Sequence, residues 1–376
     1  MRVRHLAVEE FRSYPRAEIT LAPGITAFVG PNGAGKTNLL EAIHIAARGD
    51  TPRSHDDTEI VRWGAEVGRV TVDLARAEDE RRIEVVLFGA VPGQRRKARR
   101  WLLDGAGKRA DDAIGELAVV AFFPEDVQLL GEAPGARRRY LDTMVSQVDR
   151  RHRTETREYQ RVLEQRNALL HTLRESGLPA AEAARSEELA FWNVSLCRLA
   201  GSIASRRAHT VAELRGSFHA ATTRFHGDEA LDIAYAGQVD GTTAEERTER
   251  YTELLKEKGE REIWQATTLI GPHREDLSIS ARGRDLPSFA SRGEHRSAVL
   301  ALKLAEADWV RERKGDTPVF LLDDVLSELD ARRRDALVNA LPDDAQVLVT
   351  AAFPGGLPPA LLARATIRDV TDGEVR

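Results

Sequence analysis

The sequence predicts an α/β fold in which both ends of the chain build one head and a helical lobe is inserted between them. Three observations predict it. A short apolar run, a glycine-rich loop and an amphipathic helical pattern follow one another over residues 25–47. Leucines and aromatics then repeat at helical spacing through most of residues 137–216. Beyond residue 290 another helical pattern precedes apolar runs at 319–322 and 346–350, the first of which ends on two aspartates.

In chain order, residues 4–11 and 17–21 read as two strands around a turn, and 25–29 as a continuously apolar strand. After the glycines, Leu39, Leu40, Ile43 and Ala47 fall on one helical face. Residues 70–74, 83–88 and 119–123 alternate or run apolar as strands do. Tyr159, Val162, Leu163, Leu169, Leu170 and Leu173, and then Leu189, Trp192, Leu196 and Leu199, mark helices. A polar stretch at 237–243 leads back to α/β character, with helices expected at about 297–313 and 331–341. The expected division is therefore 1–136 as the first part of the head, 137–236 as the helical insertion and 237–376 as the rest of the head.

A chain of 376 residues can bury one large core or two modest ones. Its 55 Lys and Arg against 60 Asp and Glu leave a formal charge of −5, so polyanion binding over the whole surface is excluded and any nucleic-acid contact is a local patch. Cys197 is the only cysteine, which rules out an internal disulfide and any Cys-based zinc site within one chain. The first residues carry no apolar targeting core and no stretch reaches membrane-span length, so a soluble, cytoplasmic protein with no membrane partner is expected.

Gly30-Pro31-Asn32-Gly33-Ala34-Gly35-Lys36-Thr37 fits GxxxxGK[ST], and Asn38 continues it into the helix. Glycines let backbone N–H groups close around phosphate oxygens at a helix N-terminus, where the partial charge favours an anion. Lys36 is expected to neutralise the β- and γ-phosphates of ATP, and Thr37 to offer its hydroxyl to Mg²⁺. The bland alternative, a glycine turn before an ordinary helix, accounts for the loop but not for the apolar strand leading into it. At the end of the run Val319-Phe320-Leu321-Leu322, Asp323 is placed to reach Mg²⁺ through water and Asp324 to orient or deprotonate the attacking water. Taken alone, the same two acids would serve equally as a helix cap.

With these motifs in place the sequence resembles the RecF family of DNA-repair ATPases, related to the SMC and ABC groups. The resemblance rests on LAVEEFRSY at 6–14, GPNGAGKTNLLEAIH, FFPEDVQLLGEAPGARRRYLD at 122–142, LIGPHREDL at 269–277, ASRGEHRSAVLALKLAE at 290–306 and LLDDVLSELD at 321–330. It implies an ABC-type P-loop ATPase head with a signature at Ser291, Arg292, Gly293 and Glu294. Ser291 and Gly293 of one copy would then cap the γ-phosphate held by Lys36 of another in an ATP-dependent homodimer. The implied catalytic set is Asp324, Lys36 and Ser291, with Glu294 in the nucleotide-contacting signature. Without the resemblance, SxGE before a helix reads as a capping box.

The resemblance further implies binding of double-stranded DNA and single/double-strand junctions, and slow, DNA-stimulated hydrolysis. It also implies RecR and RecO partners that help load the recombinase, in replication and in the repair and SOS responses to DNA damage. Ser327 to Asp330 occupies the loop that joins the two sites of such a dimer, or caps the helix after it, or both. His273 and Arg274 read either as facing nucleotide or DNA, or as a satisfied structural pair. Departures are Arg292 and His295 where glutamines are commoner, Thr350 in place of a switch histidine, and Pro124-Glu125-Asp126 where a glutamine loop stands. These leave signature contacts, γ-phosphate sensing and one metal ligand unassigned.

Two basic groups, Arg95, Arg96, Lys97, Arg99 and Arg100, and Arg137, Arg138, Arg139, Arg150, Arg151 and Arg153, suit phosphate contact or solvated faces. Two other classes compete with the DNA-repair reading. One is the ATPase subunit of a transporter, which the long helical lobe between Lys36 and Asp323 disfavours. The other is a nucleotide-switched scaffold that scarcely hydrolyses ATP.

Overall fold

The computed structural model describes residues 1–51, 53, 59–76, 79–89, 99–131, 133–226, 231–286 and 290–376. It falls into two compact units. Met1–Gly131, Ser217–Ala230 and Phe289–Arg376 form one, and Glu132–Gly216 with Leu231–Ser288 the other.

The first unit, the head, holds two six-stranded sheets. One runs in the order Glu374–Val375, Ala365–Thr371, Ile25–Val29, Val347–Ala351, Val319–Leu322, Val119–Phe122. Its last five strands pair in parallel. Ile25–Val29, Val319–Leu322 and Val347–Ala351 are buried along their whole length, as the continuous apolar runs require of a parallel sheet covered on both faces. The second sheet is antiparallel: Tyr14–Thr20, Arg2–Phe11, Val67–Ala75, Glu80–Phe88, Arg100–Leu103, Ala106–Lys108. Here apolar residues alternate with polar ones, so one face joins the core. The helix Lys36–Arg48 touches strands of both sheets, and Leu39, Leu40, Ile43 and Ile45 on it are fully buried.

Beyond the strand pairing, one buried side chain ties the two ends of the chain together. Gln346, itself buried, accepts from Val3 N–H at 2.7 Å and donates to Val3 C=O at 2.8 Å. Both polar ends of the amide are thereby satisfied in the interior.

The second unit is mostly helical, with Pro134–Ser146, Arg150–Glu175, most of Glu187–His226 and Ala244–Gln265. A three-stranded antiparallel sheet of Arg284–Asp285, Asp276–Ala281 and Leu231–Ala236 completes it. Residues 237–288, expected in the head, group with the helices. Tyr251 and Leu255 share one core with Tyr159, Val162, Leu196 and Ile203, and among the described residues the strands on either side of the helix pair only with one another. Several buried charges in this unit are paired. Arg166 meets Glu262 at 2.5 Å and also binds Asn193 and Thr268, and Arg207 grips Asp142 through two nitrogens. Among the described residues no helix is long and apolar enough to cross a membrane.

Candidate nucleotide site

Parallel pairing brings the C-terminal ends of Ile25–Val29, Val347–Ala351 and Val319–Leu322 side by side, with Val347–Ala351 between the other two. A crevice beyond such strand ends is where open α/β sheets hold ligands. The glycine loop leaves the first strand and the two aspartates leave the third, so residues far apart in sequence meet there.

The loop's glycines are imposed by space and by backbone angle. A Cβ on Gly30 would lie 2.0 Å from the Val370 carbonyl oxygen, and Gly33 and Gly35 adopt φ of 84° and 104°. The helix Lys36–Arg48 starts directly after Gly35, so its first amides face the loop without intrahelical acceptors. The Lys36 ammonium donates to the carbonyls of Gly30 at 2.7 Å and Pro31 at 2.8 Å. Burial lowers its pKa, opposed by Asp324 and Asp323. The charge-balancing role expected of Lys36 needs this position, inside the loop and under the influence of both acids.

Thr37 Oγ1 donates to Asp323 Oδ1 at 2.9 Å, and Thr350 Oγ1 donates to the same oxygen at 2.8 Å. Thr350 Oγ1 also accepts from Asp324 N–H at 2.9 Å. Asp323 is 2% exposed. Its burial raises the pKa, and the hydrogen bonds from Thr350 and Thr37 oppose the rise. A buried carboxylate of this kind favours a neighbouring cation. Thr37 and Asp323 are hard oxygen donors of the type Mg²⁺ takes beside phosphate oxygens. Among the described residues no cluster of three or more His, Cys, Asp or Glu could hold an ion unaided.

Asp324 has φ 49°, a left-handed conformation that Asp tolerates better than most residues. Its Oδ1 accepts from Ser327 Oγ at 2.8 Å. The two acids are thus held differently, one as the buried partner of two threonines and the other on a turn with a single serine. Thr350 was visible in the sequence only as a departure from a histidine. In the structure it joins Asp323 to the backbone of Asp324, and the signal for it was a polar residue ending an otherwise apolar central strand.

Glu125 also belongs to the site. Burial raises its pKa, with Arg53 at 3.9 Å opposing the rise and Asp323 adding to it. Its neighbour Asp126 is turned away, accepting from Phe123 N–H and pairing with Lys303 at 2.9 Å. Arg12 makes a two-toothed contact with the buried Glu41, at 3.0 and 2.7 Å, and Asn38 donates to Ser13 Oγ at 2.9 Å.

Ser291 caps the helix Arg292–Lys314. Glu294 N–H donates to Ser291 Oγ at 3.3 Å and Ser291 N–H to Glu294 Oε2 at 2.7 Å. The capping box is therefore present, and Ser291 is exposed. Gly293 packs beside Arg333, and Arg296 pairs with Glu328 at 2.8 Å, so the segment carrying the expected signature is built against residues 328–333. Asp330 caps the helix Ala331–Ala340.

His273 is a satisfied structural residue. Its Nδ1 shares a hydrogen bond with Tyr159 Oη at 2.6 Å, its Nε2 lies 3.2 Å from Thr268 O, and burial lowers its pKa to about 4. Arg274 donates to the same carbonyl at 3.0 and 3.2 Å. Arg137 is buried against Asp276, Arg138 donates to Glu275 O and Arg151 pairs with Glu155. Much of the second basic group is therefore committed to the fold, whereas Arg139 and Arg150 are exposed. Arg95, Arg96 and Lys97 lie outside the described residues.

A glycine loop with its lysine, a threonine–aspartate pair at neighbouring strand ends and a capped helix bearing SRGE define a P-loop ATPase head of the SMC-related, ABC kind. The family described as RecF/RecN/SMC N terminal domain matches residues 2–357. The chain belongs to the RecF family. The DNA replication and repair protein RecF of Roseiflexus castenholzii is 39% identical over 373 residues, covering 93% of each chain. That of Streptomyces avermitilis is 36% identical, over 100% of this chain and 99% of its own. A solved structure of the recombination mediator protein RecF-ATPrS in the RecFOR pathway superposes with a TM-score of 0.87 at 27% identity, covering 100% of this chain and 97% of that one. An SMC head bound to the C-winged helix domain of ScpA, at TM-score 0.54 and 16% identity, shares the fold.

Proposed function

We propose that this chain is an ATP-dependent DNA-binding protein of recombinational repair and replication. ATP with Mg²⁺ closes two copies on double-stranded DNA beside a single-stranded gap, and slow hydrolysis releases them. The observation that carries the ATP-dependent part of the reading is the convergence of Thr37 and Thr350 on Asp323 at the mouth of the loop that holds Lys36. It is supported by relatives called DNA replication and repair proteins and by a neighbour described as a recombination mediator holding an ATP analogue.

When bound, Mg²⁺ would supply charge neutralisation between the phosphates. Thr37 and Asp323 are the residues that would hold it, the latter through water. Lys36 exchanges its loop carbonyls for phosphate oxygens. The carboxylate of Asp324 accepts a proton from, or orients, the water that attacks the γ-phosphate. Ser291 and the first amides of the helix Arg292–Lys314 form an anion-binding end that, in a second copy, would complete the site. The helical unit serves as the arm of the clamp. The pathway named for the structural neighbour points to RecR and RecO as partners in loading recombinase.

The test is ATP turnover per molecule against protein concentration, with and without double-stranded DNA. Specific activity that climbs with concentration, and climbs further with DNA, is expected of composite sites closed on DNA. Activity flat in both variables would refute the clamp and leave the transporter-subunit or scaffold readings.

A further inference from the structure

The segment Arg12-Ser13-Tyr14 has no part in the chemistry assigned above, yet all three residues press on the phosphate loop or its helix. Arg12 is fixed on Glu41, and Ser13 accepts from Asn38. Tyr14 is different. Its side chain is 0% exposed, and its hydroxyl has no hydrogen-bond partner. That hydroxyl lies against Gly35: a Cβ built there would stand 2.9 Å from Tyr14 Oη, 3.0 Å from Tyr14 Cε2 and 2.8 Å from Ser13 Oγ. Gly35, at φ 104°, is the residue from which the phosphate-facing amides of the helix begin.

A buried hydroxyl without a partner costs stability, because its bonds to water are lost and nothing replaces them. Phenylalanine would fill the same space without that cost. Burial also pushes the phenol pKa up, so the group stays a neutral hydrogen-bond donor at neutral pH. A donor of this kind beside an anion cradle wants an acceptor that arrives with the anion. The loop has spent two of its own acceptors, the carbonyls of Gly30 and Pro31, on Lys36.

We propose that Tyr14 is a ligand-binding residue: its hydroxyl finds its acceptor in a phosphate oxygen of the nucleotide held by the glycine loop. The unpaired hydroxyl thus stores instability in the free protein and returns it on binding, so Tyr14 adds to nucleotide affinity while detracting from the stability of the free chain. The inference rests on the nucleotide-binding reading of the loop and goes beyond it by adding a side chain from the antiparallel sheet to the phosphate contacts.

The experiment compares the wild-type chain with Tyr14→Phe by calorimetric titration with ATP and, separately, with inorganic tripolyphosphate, alongside thermal melts without ligand. The expected result is a ligand-free Tm equal to or above wild type, together with a Kd weaker by about tenfold for both ligands, the equivalent of about 1.4 kcal/mol. An unchanged Kd overturns the proposal. A ligand-free Tm below wild type, or failure of the variant to fold, also overturns it, since the hydroxyl would then have its partner without nucleotide. Weakened ATP binding with unaltered tripolyphosphate binding would show that the hydroxyl does not touch the phosphates. Should wild type bind neither ligand, the nucleotide reading of the loop falls first, a result distinct from all of these.

Discussion

Replacing Thr350 with valine removes one oxygen and keeps the shape of a buried, β-branched side chain, so its effects trace to two hydrogen bonds. One is donated to Asp323 at 2.8 Å and the other accepts from Asp324 N–H at 2.9 Å. A bond to a carboxylate contributes about 1.5–3 kcal/mol and the partly wet amide about 0.5–1.5, so Thr350→Val should cost about 2–4.5 kcal/mol. In a unit of this size, where each kcal/mol moves Tm by about 2–4 °C, that lowers Tm by about 4–18 °C.

The sharper consequence is in pH. Burial already raises the Asp323 pKa, and Thr350 is the larger of the two hydrogen-bonding influences holding it down. An acid whose pKa is raised on folding stabilises the fold fully below its unfolded pKa and loses that contribution as pH rises through the folded pKa. Removing Thr350 raises the folded pKa further. The protonated form of Asp323 then persists to higher pH, and since metal binding needs the carboxylate, the acid limb of the ATPase pH profile should move to higher pH. Mg²⁺ titrations at a series of pH values, on wild type and Thr350→Val, measure this. An acid limb that stays in place, or moves to lower pH, would refute the argument that Thr350 favours the ionised form of Asp323.

Three further outcomes are expected. Lys36→Met should abolish ATP binding in an equilibrium titration while the protein stays folded by circular dichroism, since the ammonium is hydrogen-bonded into the loop through the carbonyls of Gly30 and Pro31. Asp324→Asn should keep ATP binding and lower kcat by about 10²–10⁴-fold, because Asn can accept the Ser327 bond and tolerate φ 49° but cannot take a proton. No change in turnover on Asp324→Asn would favour the scaffold. Ser291→Arg should leave ATP binding by the monomer intact and block ATP-dependent dimerisation in sedimentation, since Ser291 is exposed and bonded to Glu294.

Local chemistry was legible in the sequence wherever neighbours in the chain are neighbours in space. The glycine loop and its helix are one continuous segment, and an apolar run ending in Asp323 and Asp324 announces a buried strand with polar residues at its mouth. Periodicity likewise showed the long helices and the return of both chain ends to one head. What sequence could not show depends on which strands lie side by side. Thr350 acts on Asp323 only because Val347–Ala351 is inserted between the loop strand and the acid strand, an order set by tertiary packing. The grouping of 237–288 with the helical unit was hidden for the same reason: alternating strands look alike whichever sheet receives them, and the packing of Tyr251 against Tyr159 decides it. His273 carried the letters of a functional motif, and the proximity of Tyr159 and Thr268 makes it structural. Residue type and spacing determined what chemistry this chain can hold, and the pairing of distant strands decided which residues share it, because a hydrogen bond is set by distance in space and not along the chain.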